Sequence, residues 1–276
     1  MKKKILFICG SLNQTTIMFQ ISRYFEDSEC YFTPFYADGI IRLFAEQGLL
    51  DFTILGGKFK KDTLNFLASN NLLVDYRGKD NNYDLVFTCT DLIIPKNIRA
   101  KKVILVQEGM TDPENLLYYI VKNFKLPRYL ASTSMTGLSN QYNYFCVASE
   151  GYKKHFIRKG IKEEKLLVTG IPNFDNAKKY LTNRFPYKNY VLVATSDMRE
   201  TLRYENRKET IINALSIAKE KQLIFKLHPN ENFKRAIAEI AEYAPNAIVF
   251  TDGNTSEMIA NCDVLITKFS SVVYIG

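Results

Sequence analysis

Short runs of consecutive apolar residues recur along the whole chain: residues 4–9 (KILFIC), 83–88 (YDLVFT), 102–107 (KVILVQ), 142–148 (YNYFCVA) and 165–168, then 190–194 (YVLVA), 223–227 (LIFKL), 247–251 (AIVFT) and 263–267 (DVLIT). Such runs do not alternate between apolar and polar, so a strand built from one must bury both faces. Between several of them lie helical stretches, at 16–25, 150–159, 206–221, 232–243 and 256–260. Strands buried on both sides and joined by helices predict a parallel sheet covered on both faces, an α/β fold.

The alternation is interrupted once. Gly170-Ile171-Pro172-Asn173 breaks the pattern, a polar and basic stretch follows over 176–188 with Pro186 inside it, and the strand–helix rhythm then restarts. This predicts two Rossmann-like, doubly wound domains, 1–175 and 186–276, with the boundary between about 172 and 188. At 276 residues the chain has room for both, at roughly 100–200 residues per domain. Residues 269–273 fall where a new helix should start, so the second domain is expected to be incomplete, the chain being the larger part of a longer protein.

No apolar run approaches the roughly 20 residues of a membrane span. The start MKKKILFICG is basic like a signal peptide, but its apolar run stops at Cys9 and leads into Ser11-Leu12-Asn13-Gln14-Thr15-Thr16. That is too short for a secretory segment, and the cytoplasm is the expected compartment. Five widely separated cysteines without a CxxC pair read as free thiols, and two histidines in unrelated surroundings argue against a metal site. The net charge of +8 suits a phosphorylated ligand or an anionic inner-membrane surface, where a peripheral contact would form. The basic residues are dispersed and no nucleic-acid module is present, so nucleic acid is not an expected partner.

Two motifs carry the chemistry. The first is FKLHPNE (225–231) at a strand end. Ligands of open parallel sheets bind beyond the carboxyl ends of strands, and Pro229 stops the ladder there. His228 is thereby placed to donate a hydrogen bond to a phosphate oxygen, or to sit satisfied in a turn. The second is DVLITKFSS (263–271), a strand running into Ser270 and Ser271 at the first positions of the next helix. Hydroxyls and free N–H groups there make an anion site, although one of the serines could be an ordinary cap.

KLHP followed by D-x-L-I-T-x-F-S-S resembles the donor-binding domain of GT-B glycosyltransferases. It is most similar to the branch of CDP-glycerol glycerophosphotransferases, capsule-polysaccharide transferases and bacterial sialyltransferases with His-Pro and Ser-Ser motifs. The segment FCVASEGYKKHFIRKGI…KLLVTGIPNFD (145–175) looks like the close of the first GT-B domain, a pattern shared with non-hydrolysing UDP-N-acetylglucosamine 2-epimerases. The resemblance covers roughly 140–276. It implies two domains facing a cleft, and it implies that His228, Pro229, Ser270 and Ser271 hold the phosphate of a nucleotide donor.

In the amino-terminal half the counterpart is weaker. Gln107-Glu108-Gly109 ends a strand where the sialyltransferase-like relatives carry paired acids and a glycine. Here Gln107 replaces the first acid, and Glu108 is the candidate base that takes a proton from an acceptor hydroxyl. It could equally be a solvated strand-end residue. The loop 10–16, with Ser11 and Asn13, is neither a dinucleotide fingerprint nor a Walker loop, and is expected to line the cleft. Thr195 and Ser196 occupy the equivalent place in the second domain. His155 reads as a surface residue.

The sequence therefore points to a metal-independent GT-B transferase without a cofactor. It would move a glycosyl or glycerophosphoryl group from a nucleotide-sugar or CDP-alditol donor to a polysaccharide or lipid-linked acceptor. A UDP-N-acetylglucosamine 2-epimerase-like enzyme and a non-catalytic nucleotide-binding module are the alternatives.

Overall fold

The structure, a computed structural model, describes residues 2–200, 204–268 and 270–274. It resolves into two compact units, Met1–Asp175 and Asn176–Gly276.

In the first unit the elements run β1 (Lys4–Cys9), α1 (Leu12–Ser22), β2 (Glu29–Pro34), α2 (Gly39–Glu46), α3 (Gly57–Ser69), β3 (Leu73–Val74), β4 (Leu85–Thr88), β5 (Lys102–Val106), α4 (Leu116–Asn123), β6 (Tyr144–Val147), α5 (Glu150–Lys159) and β7 (Leu166–Val168). All seven strands are parallel, in the order β3-β2-β1-β4-β5-β6-β7. The order reverses between β1 and β4, which opens a crevice at their carboxyl ends. Every residue of β1 from Ile5 to Cys9 is buried. Phe7 is in register with Phe32 of β2 and Phe87 of β4, and its ring stacks on each at 5.2 Å. One aromatic row thus ties the three central strands together.

Helix α5 shows how local sequence sets an element. Ser149 caps it by accepting the Tyr152 N–H, Glu150 favours the positive end of its dipole, and Arg158 and Lys159 favour the negative end. Gly160, at φ +103°, ends it in a left-handed turn. Its buried face is Phe156, packed on Phe145 of β6 at 4.7 Å.

The second unit runs β8 (Tyr190–Ala194), α6 (Arg207–Ala218), β9 (Leu223–Lys226), α7 (Phe233–Tyr243), β10 (Ile248–Phe250), α8 (Thr255–Asn261) and β11 (Cys262–Thr267). Its four parallel strands take the order β10-β9-β8-β11, reversing between β8 and β11. The core has two layers. Val191, Val193, Phe225 and Leu227 pack against α6 and α7 on one face, while Tyr190, Leu192 and Ile224 pack with Met258 and Ile259 on the other.

The α/β architecture with two parallel sheets is as the sequence predicts. Three details differ. The helix expected at 16–25 begins at Leu12, because Ser11 caps it and its polar first turn finds tertiary partners. Asn13 is therefore on a helix, not in a loop. Strands β2 and β3 and helices α2 to α4 join the predicted elements, and Ser271 to Tyr274 form a single 3-10 turn where a helix was expected.

Candidate functional site

At the crevice of the first unit, Glu108 follows β5 by two residues and is half-buried. Its Oε1 accepts hydrogen bonds from Ser11 Oγ at 3.0 Å and Asn13 Nδ2 at 3.1 Å, and its Oε2 accepts one from Gln14 Nε2 at 2.5 Å. Ser11 is also the cap of α1, accepting the Gln14 N–H at 3.2 Å. The first turn of α1 holds no acid of its own, so Glu108 supplies the negative charge that a helix start favours. Gly10 makes this approach possible, since a β-carbon there would lie 1.8 Å from Gln14 Oε1. Gln107 has a structural task. Its buried amide donates to Gly109 O at 2.7 Å and accepts from Ala148 N at 2.9 Å, joining the ends of β5 and β6.

On the same unit, Asn173 docks the segment after β7 onto α1. Its Nδ2 donates to Asn13 O at 3.2 Å, Asn13 Oδ1 at 2.7 Å and Thr16 Oγ1 at 3.0 Å. The Gly-Ile-Pro-Asn break is thereby anchored. Beneath the crevice, Cys9 and Cys89 are fully buried and free. Burial pushes the Cys9 thiol up to about 12 and raises Cys89 well above its ordinary value, so neither is a ready thiolate.

In the second unit the chemistry collects at the ends of β8, β9 and β11. The backbone N–H of His228 is shared between Thr195 Oγ1 and Glu231 Oε2, each at 3.0 Å. Thr195 Oγ1 donates to the same Glu231 oxygen, and Arg207 pairs with the other one. Arg207 continues to Glu205 at 2.9 and 3.0 Å. The side chains of Glu231, Arg207 and Glu205 are between 0% and 3% exposed, so this ionic brace lies wholly out of water. It fixes the backbone of His228 and leaves the ring half-exposed. His228 Nδ1 accepts the Asn230 N–H at 3.3 Å, which favours the tautomer with its proton on Nε2, a donor without a protein partner among the described residues. Asp197 Oδ2 lies 3.8 Å from Nδ1. Pro229 is exposed.

Lys226, in the same motif, belongs to the scaffold. It is buried, donates to Leu227 O at 2.9 Å and Thr251 O at 3.2 Å, and burial lowers its pKa.

Ser196 is 4% exposed and its hydroxyl has no hydrogen-bond partner among the described residues. It lines a pocket of about 270 Å³ with Thr195, Glu209, Asn213, Thr267 and Lys268. Ser270 lies beyond β11, and its Oγ accepts the Val272 N–H at 3.4 Å. The Ser271 side chain and Phe269 lie outside the described residues. β8 separates the ends of β9 and β11, so Thr195 and Ser196 form the centre, with His228 on one flank and Ser270 on the other.

The structure thus brings together Ser11, Asn13 and Glu108 in one unit, and Thr195 and His228 in the other. Gln14, Glu231 and Arg207 were not singled out from the sequence. Glu231 had a signal available: it stands three residues after His228 and just before Asn232, the cap of α7. Among the described residues no group of three or more His, Cys, Asp or Glu could hold a metal ion, and no helix is long and apolar enough to cross a membrane.

Solved structures with the same fold include a glycosyltransferase from Rickettsia africae (12% identity, TM-score 0.55, covering 96% of this chain and 72% of the other). A co-structure of S. aureus MnaA with UDP is similar at 12% identity and TM-score 0.55, covering 98% and 75%. A UDP-N-acetylglucosamine 2-epimerase from Rickettsia bellii gives 12% and 0.50, covering 99% and 76%. At these identities the likeness is one of fold, the GT-B arrangement. Among curated proteins none matches the sequence significantly. The sequence profile of CDP-Glycerol:Poly(glycerophosphate) glycerophosphotransferase matches residues 99–274, which takes in Glu108, the His-Pro loop and the serine turn. With more than half of its length inside that profile, the chain belongs to the CDP-glycerol:poly(glycerophosphate) glycerophosphotransferase family.

Proposed function

We propose that this transferase binds the phosphates of its nucleotide-activated donor with His228, Ser196, Ser270 and Ser271, and activates the acceptor hydroxyl with Glu108. In this reading the acceptor oxygen attacks the transferred group and its proton passes to Glu108. The bond to the leaving nucleotide phosphate breaks, and the charge that builds there meets His228 Nε2–H and the serine hydroxyls. Donors fixed in advance at the point where charge develops are the largest single contribution in many such sites. The donor is a substrate, and no cofactor or metal ion takes part in the proposed steps. The acceptor is a cell-surface polymer, reached from the cytoplasmic side with a peripheral contact to the membrane.

The observation that carries the reading is the His228 loop. A buried ionic brace holds its backbone while the ring stays half-exposed, with Nε2 unengaged among the described residues, at a strand end where sheet proteins bind ligands. Isothermal titration of CMP, CDP and UDP onto wild type and His228→Ala tests it. Losing a charge-assisted hydrogen bond, about 1.5–3 kcal/mol, should weaken the best-bound nucleotide about ten- to a hundred-fold. Unchanged affinity for all three would remove His228 from the donor site.

A further inference from the structure

Helix α4 carries apolar residues on both its sides. The inner ones, Tyr118 and Val121, are fully buried and pack with Ala131 and Met135 of the 3-10 turns that follow. A surface helix ordinarily turns polar side chains outward. Here the outer side is apolar as well, and it continues past the helix. Of the fifteen residues from Leu116 to Leu130, eight are large hydrophobics that stand exposed, with Leu116 and Phe124 at 76% and 74%. Exposed apolar residues scattered singly need no explanation, but a run of this density marks a contact face.

The charges in the same stretch decide what the face meets. It holds Lys122, Lys125 and Arg128 and no acid. Lys122 donates to Tyr118 Oη at 3.0 Å and Lys159 O at 3.2 Å, and Arg128 donates to Asp91 O at 3.1 Å. Those partners are a phenol and carbonyls, so the positive charge is held in place and not neutralised. Lys125 is exposed, and none of the three forms an ion pair among the described residues. Glu114, just before the helix, pairs with Arg158 at 3.8 Å. A second copy across a two-fold axis would set the three cations against their own images, with nothing in the stretch to offset them. An anionic lipid surface meets no such conflict. Leucine, phenylalanine and tyrosine sink to the headgroup boundary, while lysine and arginine reach the lipid phosphates.

We infer that residues 116–130 form the surface by which the first unit rests on an anionic bilayer, lying in its interface and not crossing it. The chain between Glu108 and α4 is pinned to the same 3-10 turns: Thr133 Oγ1 accepts the Asp112 N–H at 2.9 Å and donates to Asp112 Oδ2 at 2.8 Å. Docking on this surface therefore brings the Glu108 loop to the lipid. That the bilayer carries the acceptor rests on the transferase reading; the docking itself does not.

The test is sedimentation of the full chain, without donor, with phosphatidylcholine vesicles that contain or lack phosphatidylglycerol. Binding should be at least about tenfold stronger with phosphatidylglycerol, the worth of two basic residues at a charged surface, and raised salt should release much of it. Lys125→Asn, chosen because Asn tolerates the left-handed backbone at φ +50°, should lose about fivefold on the anionic vesicles. Leu116→Ser combined with Phe124→Ser should lose at least about tenfold on them, at an unchanged melting temperature, since both side chains stand in water. No binding to either vesicle, equal binding to the two, or full binding by the double variant overturns the proposal. So does a concentration-dependent dimer of the wild type, seen by sedimentation velocity, that the double variant abolishes, because a second copy then covers the face. Vesicle binding is read without transfer, so the docking face and the transferase reading can fail separately.

Discussion

An ionised carboxylate has about four lone-pair positions, and Ser11, Asn13 and Gln14 take three of those on Glu108. The fourth, on Oε2, is where an acceptor hydroxyl can donate. Glu108→Gln keeps the shape: Ser11 and Asn13 go on donating to the remaining oxygen, and the Gln14 amide can flip to accept from the new NH2. Donor affinity should stay near wild type while transfer falls by about 10²–10⁴, the range for a lost general base. Near-normal turnover would make Glu108 a cap for α1 and nothing more. Lys159 offers a second test at this scale. It is buried, donates to Ser134 O at 2.5 Å, and burial holds it down at about 8, against opposing pulls from Glu114 and Asp91. Because the folded state releases this proton before the unfolded state does, the unfolded chain binds more protons between about pH 8 and the ordinary lysine value. Stability from this group therefore rises with pH across that window. Urea melts should show wild type gaining on Lys159→Met between pH 7.5 and 10; a constant difference would mean the ammonium is not held down.

Among elements, the joint between β8 and β9 is the most exacting. Removing one partner of a buried ion pair leaves an uncompensated charge, at about 3–5 kcal/mol, so Glu231→Ala should cost that much in chemical denaturation. A loss below about 1 kcal/mol, the level of an exposed pair, would mean that water reaches Arg207. Much of the element list could be read from the sequence, because β1, β4 to β6 and β8 to β11 carry apolar runs that only a doubly covered sheet can bury. β2 escaped because Glu29–Pro34 (ECYFTP) mixes polar residues into a strand whose first half is only partly buried, and closes on a proline. The start of α1 escaped for a different reason. Asn13-Gln14-Thr15-Thr16 looks like a loop when no partner is visible, and its partners are Glu108, Asn173 and Thr63, distant in sequence. The same distance hid Gln14 and Arg207 from the candidate site, whereas His228 and the serine turn stand in local motifs, and Glu231 was passed over inside the His228 motif itself.

For the whole molecule, the two units divide the proposed labour, acceptor chemistry in Met1–Asp175 and donor binding in Asn176–Gly276. Hydrogen exchange with saturating CMP should therefore show protection concentrated around Thr195, His228–Glu231 and Lys268, where opening is suppressed by ligand bound to the native state. Residues 10–16 and 107–109 should change little. Protection confined to the first unit would reverse the assignment. The aromatic row through the first sheet has a further consequence. Phe7 meets Phe32 on one side and Phe87 on the other, each at 5.2 Å, so β1 acts as a keystone: a slip of its register by one residue would break both stacks at once, and the three strands hold their alignment together.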